Sequence, residues 1–184
     1  MQLRDNGLGF SPFTVVLHWL VAALLVSIVA LSIAVSFPVD AAPAISLIKI
    51  RNLLGVLLFL GSVYRFWARI SSYHPLPLGT PNPIEVIVSR SVAVALALAM
   101  VLLPVAAWLS WSTAGTAMPL PWGIAIPAVI GPNAQAHRVI EFLFRFGSTA
   151  FLAGLSLHIF GALKNHFALR NDVLKRMLGK HVEL

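Results

Sequence analysis

The sequence contains no cysteine. That excludes disulfides, cysteine-held iron–sulfur clusters, covalently attached c-type haem and thiolate metal sites. It is also poor in charge: 10% of its 184 residues are charged, against roughly 25% in ordinary soluble domains. Acidic residues are scarcest, 6 Asp and Glu against 13 Lys and Arg, which leaves a net charge of +7. The basic residues sit between long apolar runs, so nucleic acid is not the expected partner. A lipid bilayer is, because 59% of the residues are hydrophobic and loops on the cytoplasmic side collect Lys and Arg. No cleavable signal peptide is expected. The first apolar run is too long for one, and no small-residue cleavage pattern comes after it.

What the sequence does have is long hydrophobic runs. A helix needs about 20 apolar residues to cross the hydrocarbon core. Four stretches meet that length, at 13–37, 45–67, 87–111 and 138–163. Ser11-Pro12 reads as the start of the first, since Pro fits the opening turn of a helix. Pro104 lies inside the third and is expected to bend it. The expected fold is an all-α membrane protein, one four-transmembrane-helix bundle over residues 1–184. Residues 70–86 hold Pro75, Pro77, Pro81 and Pro83 and are not expected to form regular helix. Residues 112–136 are uncharged, rich in Pro and Gly, and carry Trp122, a residue type favoured at the membrane interface. The tail after Asn165 reads as a short basic helix or as disordered.

Orientation is read from the basic residues. Arg4, Arg65, Arg69, Arg90, Lys164, Arg170, Lys175, Arg176 and Lys180 fall on one side, nine of the 13, against Lys49, Arg51, Arg138 and Arg145 on the other. Both termini are expected to be cytoplasmic.

The six histidines differ in placing. His18 and His158 lie inside the first and fourth spans. Those helices run in opposite directions, yet both histidines fall near the cytoplasmic end. An ionisable residue within a span is a functional-site hypothesis by default. Two at matching depth fit the axial faces of one porphyrin iron; the alternative is that each bonds a neighbouring helix. His74, His166 and His181 lie at or beyond the cytoplasmic boundary and read as solvated or interfacial. His137 lies just outside the fourth span. There Arg138, Glu141 and Arg145 have helical spacing and read as an ion-paired face.

Two further patterns accompany the pair. Gly147, Gly154 and Gly161 recur every seventh residue along the fourth span. Such a stripe admits either a neighbouring helix or a flat macrocycle, so Gly154 and Gly161 are cofactor-binding candidates. Arg65 and Arg69 share a face near the cytoplasmic end of the second span. Haem propionates need cationic partners, and the guanidinium fork suits carboxylates. Ordinary positive-inside anchoring explains the two arginines equally well.

Taken together, these residues resemble the bacterial cytochrome b561 family, four-helix cytochromes of the inner membrane. The resemblance covers nearly the whole chain. His18-Trp19 is similar to that family's opening signature, and Gly55 to Arg69 to the end of its second helix. Leu157-His158 with Ala162-Leu163-Lys164-Asn165-His166-Phe167 resembles its fourth-helix signature. Asp172-Val173-Leu174-Lys175-Arg176-Met177 resembles its basic C-terminal motif. The resemblance implies haem b, usually two per chain, held by four histidines. The inner pair corresponds to His18 and His158. The outer ligands would stand four residues before Gly55 and fourteen before His158, where this sequence has Arg51 and Phe144. Fourteen helical residues rise about 21 Å, so Phe144 is expected near the opposite membrane face from His158. His137 lies about 10 Å beyond Phe144 along a helix.

One haem b is therefore expected, and a second is not. The resemblance implies electron transfer with the quinone pool, ubiquinone included. The leading expectation is a membrane b-type cytochrome exchanging electrons with quinone or a redox partner near the cytoplasmic side. One alternative is a structural or haem-bearing subunit of a larger respiratory complex. Another is a superoxide:ubiquinone oxidoreductase with an unorthodox second haem site.

Overall fold

The structure is a computed structural model describing residues 10–38, 40–71, 82–170 and 172–179, without the side chains of Arg69, Ser71 and Val173. His74, His181, Arg4, Pro75, Pro77 and Pro81 lie outside the described residues.

Four helices are long and apolar enough to cross a membrane: α1 (Pro12–Ser36), α2 (Ala41–Ser71), α3 (Pro83–Thr113) and α4 (Ala134–Leu163). The shortest, α1, has 25 residues and rises about 37 Å, more than the roughly 30 Å hydrocarbon core. The helices run longer than the apolar stretches because caps, not apolarity, set their ends. The Ser11 hydroxyl accepts the Thr14 N–H at 3.2 Å ahead of Pro12. The Asn82 side chain accepts the Ile84 N–H at 3.0 Å ahead of Pro83, so residues 83–86 are helical against expectation, because Pro suits the first turn of a helix. The Asn133 side chain accepts the Gln135 and Ala136 N–H groups at 3.1 and 2.9 Å. Each side chain satisfies backbone donors that the first helical turn leaves unpaired. The early start of α4 brings His137 inside its first turns rather than outside it. Pro104 sits within α3 without ending it.

The chain forms two compact units. One is drawn from Met1–Leu20, Val63–Ala99 and Ala150–Leu184, the other from Val21–Ser62 and Met100–Thr149. Both carry large apolar side chains on their surfaces, among them Val16, Trp67, Phe160, Leu102, Phe142 and Phe146. Such surfaces suit a hydrocarbon solvent, where helices associate by close packing rather than by expelling water. The packing contacts obey that rule. A Cβ built on Gly154 would stand 3.4 Å from the Leu96 side chain, and one on Gly147 would stand 3.1 Å from Leu103. Among the described residues, nothing stands within 4 Å of a Cβ built on Gly161.

In the second unit, the connection from α3 to α4 is an ordered hairpin. Strands β1 (Met118–Pro119) and β2 (Ala125–Ile126) pair antiparallel across a tight turn at Pro121–Gly123. Trp122 in that turn has φ 59° and is 84% exposed. The hairpin is tied to helices by side chains: Asn52 donates to the Pro119 carbonyl at 3.0 Å and the Trp108 indole to the Pro127 carbonyl at 3.1 Å.

In the first unit, α4 widens into a π-helical turn at Lys164–Ala168, and a short helix α5 (Val173–Met177) comes next. The described part of the tail after Asn165 thus includes a short basic helix, one of the two forms expected. Lys164 reaches Glu85 near the start of α3 at 2.8 Å.

Candidate functional site

The first unit brings His18 of α1 and His158 of α4 together. Their ring centroids are 6.4 Å apart and their planes meet at 64°. His18 is half-buried and packs edge-on against Trp19, with centroids 5.4 Å apart. Its Nδ1 is buried and makes no hydrogen bond. His158 keeps an exposed surface, and among the described residues no protein group bonds it. A histidine retained to tie helices together would be bonded, as buried polar groups nearly always are. This pair is not.

Arg65 of α2 is half-buried and near enough to act electrostatically on both rings. Arg69 is one turn further along α2; its side chain lies outside the described part. On α4, Gly154 lies against Leu96, which makes it a point of helix packing, while Gly161 leaves its face open. Among the described residues, no three His, Asp or Glu side chains converge as a metal cluster. Two imidazoles alone cannot saturate a bare ion, so the pair suits a metal that arrives with donors of its own.

The second unit holds Arg51, Phe144 and His137. Arg51 and Phe144 are half-buried, and Arg51 has no hydrogen bond or ion pair among the described residues. Neither is a usual iron ligand. His137 is engaged through one ring nitrogen: its Nδ1 stands 3.1 Å from the Ser110 carbonyl and 3.3 Å from the Thr113 hydroxyl. A carbonyl only accepts, so Nδ1 carries the proton. Its Nε2 faces Glu141 at 3.9 Å. Glu141 also pairs with Arg145 at 3.5 Å, whereas exposed Arg138 makes no ion pair among the described residues. Of the expected ion-paired face, Glu141 and Arg145 pair and Arg138 stands apart from them.

Reasoning from the sequence missed three anchors. The fully buried Ser112 hydroxyl accepts the Val129 and Ile130 N–H groups at 2.7 and 2.9 Å. The Trp19 indole donates to the Met177 carbonyl at 2.8 Å. Lys164 pairs with Glu85. Only the Trp19 contact had a visible signal, a tryptophan directly beside a candidate ligand.

Comparison with known proteins gives a consistent answer. The family model for prokaryotic cytochrome b561 matches residues 9–180. A relative described as cytochrome b561 homolog 2, from Escherichia coli (strain K12), is 27% identical over 133 residues, covering 72% of this chain and 70% of that protein. Family membership implies b-type haem and electron transfer, and four apolar helices make the protein multi-pass. This chain belongs to the prokaryotic cytochrome b561 family, as a membrane cytochrome of the b type.

Proposed function

We propose that the chain holds one haem b between His18 and His158 and passes single electrons between quinone, or a redox partner, and that haem. The observation that carries this reading is the gap between the two rings. Metal–imidazole nitrogen bonds run about 2 Å, and a ring centroid lies about 1.1 Å behind its nitrogen, so an axial pair spaces its centroids about 6 Å apart. The rings here stand 6.4 Å apart with no protein hydrogen bond competing for them. The residues therefore fit the group that the family carries.

When bound, the haem supplies a one-electron ferric–ferrous couple. The protein's residues do the rest. His18 and His158 would hold the iron from both sides, which would leave no open site for ligand chemistry and favour electron transfer. Arg65, with Arg69 beside it, supplies cationic partners for the propionates. Gly161 leaves the adjoining face of α4 shallow. The basic residues cluster toward this end of the spans, so we place the site at the cytoplasmic side of the inner membrane, with both termini cytoplasmic. A second haem is not part of this reading. Arg51 and Phe144 stand where outer ligands would be expected, and the Nδ1 of His137 is taken up by the Ser110 carbonyl.

The test is the haem-to-protein ratio of the purified chain, read with its reduced absorption spectrum. One haem per chain is expected, and none after His18→Ala or His158→Ala. Two haems in the native chain, or full retention after both substitutions, would overturn the proposal. Whether the chain purifies alone or with companions separates a free carrier from a subunit of a larger assembly.

A further inference from the structure

The C-terminal segment folds back toward the first helix. After α4 the backbone winds wider at Lys164–Ala168 and then turns at Arg170, whose φ of 49° lies in the left-handed region. That conformation is uncommon for a residue with a Cβ, so contacts made by the segment beyond Arg170 must impose the reversal. Helix α5 has only five residues, far too few to persist in isolation. Local devices close its ends: Lys175 pairs with Asp172 at 2.7 Å, and Gly179 lies just past it at φ 72°. Among the described residues, the Trp19 indole ties it to α1 through the Met177 carbonyl, at 2.8 Å.

That contact joins two neighbourhoods. Trp19 is next to His18 and packs on its ring; Met177 is next to Arg176. Arg176 is 8% exposed, although Lys175 beside it is exposed. A guanidinium stays charged at any ordinary pH. Burial therefore fixes a positive charge in the unit that contains the histidine pair. A basic tail that merely bound anionic lipid headgroups would keep its arginine at the surface.

We propose that residues 172–179 are part of the haem site, with Trp19 latching them to the turn of α1 that carries His18, and Arg176 setting the potential of the bound haem. This rests on the function proposed above. Reduction adds one negative charge at the iron, and a fixed positive charge in the same unit favours it. Low dielectric and limited solvent screening extend the reach of that charge. Trp19 is a positioning residue, acting through His18 and α5.

The test uses the full chain in detergent with Trp19→Phe, Arg176→Gln and Arg176→Lys. Trp19→Phe keeps the ring and removes the donor. Trypsin should then cut at Lys175 and Arg176 several-fold faster, and the low-spin ferric EPR signal, which reports axial ring orientation, should shift. Arg176→Gln should lower the haem midpoint potential at unchanged haem content, and Arg176→Lys should restore most of it. Unchanged trypsin sensitivity and EPR signal in Trp19→Phe would overturn the latch. An unchanged midpoint in Arg176→Gln would overturn the charge. If Arg176→Gln fails to fold, Arg176→Met takes its place and should lower the midpoint in the same way, with an unchanged midpoint again overturning the charge. Haem retained after His18→Ala would instead sink the axial-pair reading, and this proposal with it.

Discussion

The two units of this protein each contain histidine, and they treat it in opposite ways. In one, His18 and His158 face each other across 6.4 Å with no hydrogen bond to either ring among the described residues. In the other, His137 bonds Ser110 and Thr113 through Nδ1 and turns its remaining nitrogen to Glu141. The first arrangement leaves ligating nitrogens free at the cost of unsatisfied polar atoms. The second commits Nδ1 to joining the end of α3 to the start of α4. An intramembrane histidine is thus a ligand candidate only after its hydrogen bonds have been counted.

The largest expected effect breaks the comparison directly. His18→Ala should abolish haem binding, taking the ratio from one to near zero, while His137→Ala should leave it unchanged. Loss of haem from the His137 variant would mean that the engaged histidine is also a ligand, and the distinction drawn between the units would fail.

Next in size is Ser112→Ala. One hydroxyl accepts two backbone N–H groups there, in a residue that is 0% exposed. Leaving buried donors unpaired costs about 2 kcal/mol. Denaturation in detergent should show that loss, with the haem spectrum untouched until the protein unfolds. A spectrum that changes ahead of unfolding would mean that the hairpin unit supports the haem.

Arg65→Gln comes third. It removes a charge-assisted contact worth about 1.5 kcal/mol, so haem affinity should fall about tenfold. Arg65→Lys should recover part of this, since a lysine keeps the charge and loses the fork. Haem titration into the apoprotein measures both. Equal affinity in all three proteins would return Arg65 to the role of a membrane anchor.

How far the sequence foretold each unit depends on the kind of interaction. The four long helices were legible because apolar length is a property of neighbouring residues, and Ser11-Pro12 marked a start through local capping. The histidine pair was legible as matching depth on two spans, and Arg65 as a basic residue near that depth. The hairpin was not. Residues 112–136 read as uncharged loop because Asn52, Trp108 and Ser112, which order it, lie outside it or at its edge, and a hydroxyl gives no sign of what it will accept. His137 was placed outside its helix for a related reason. The boundary is set by the cap at Asn133, and the short stretch between Asn133 and Arg138 carries no helical period. Arg51 and Phe144 were singled out only through the resemblance, since nothing in their own chemistry marks a missing ligand.

The smallest effects compare one ion pair from each unit. Glu141 and Arg145 are one turn apart on α4, 3.5 Å from each other, and Arg145 is 78% exposed. Lys164 and Glu85 come from different helices, 2.8 Å apart, and are 40% and 47% exposed. An exposed pair within one helix contributes about 0.3–0.5 kcal/mol, and salt screens it. The inter-helix pair has the shorter contact and less solvent around its cation, so it should reach the upper end for surface pairs, about 1 kcal/mol. Double-mutant cycles of Glu141→Gln with Arg145→Ala, and of Glu85→Gln with Lys164→Ala, give the two coupling energies. Lys164 also opens the π-helical turn that leads to α5, so loss of the Glu85 pair should loosen the end of α4 beyond His158. A coupling at Glu85–Lys164 no larger than that at Glu141–Arg145 would show that the turn holds itself without help from α3.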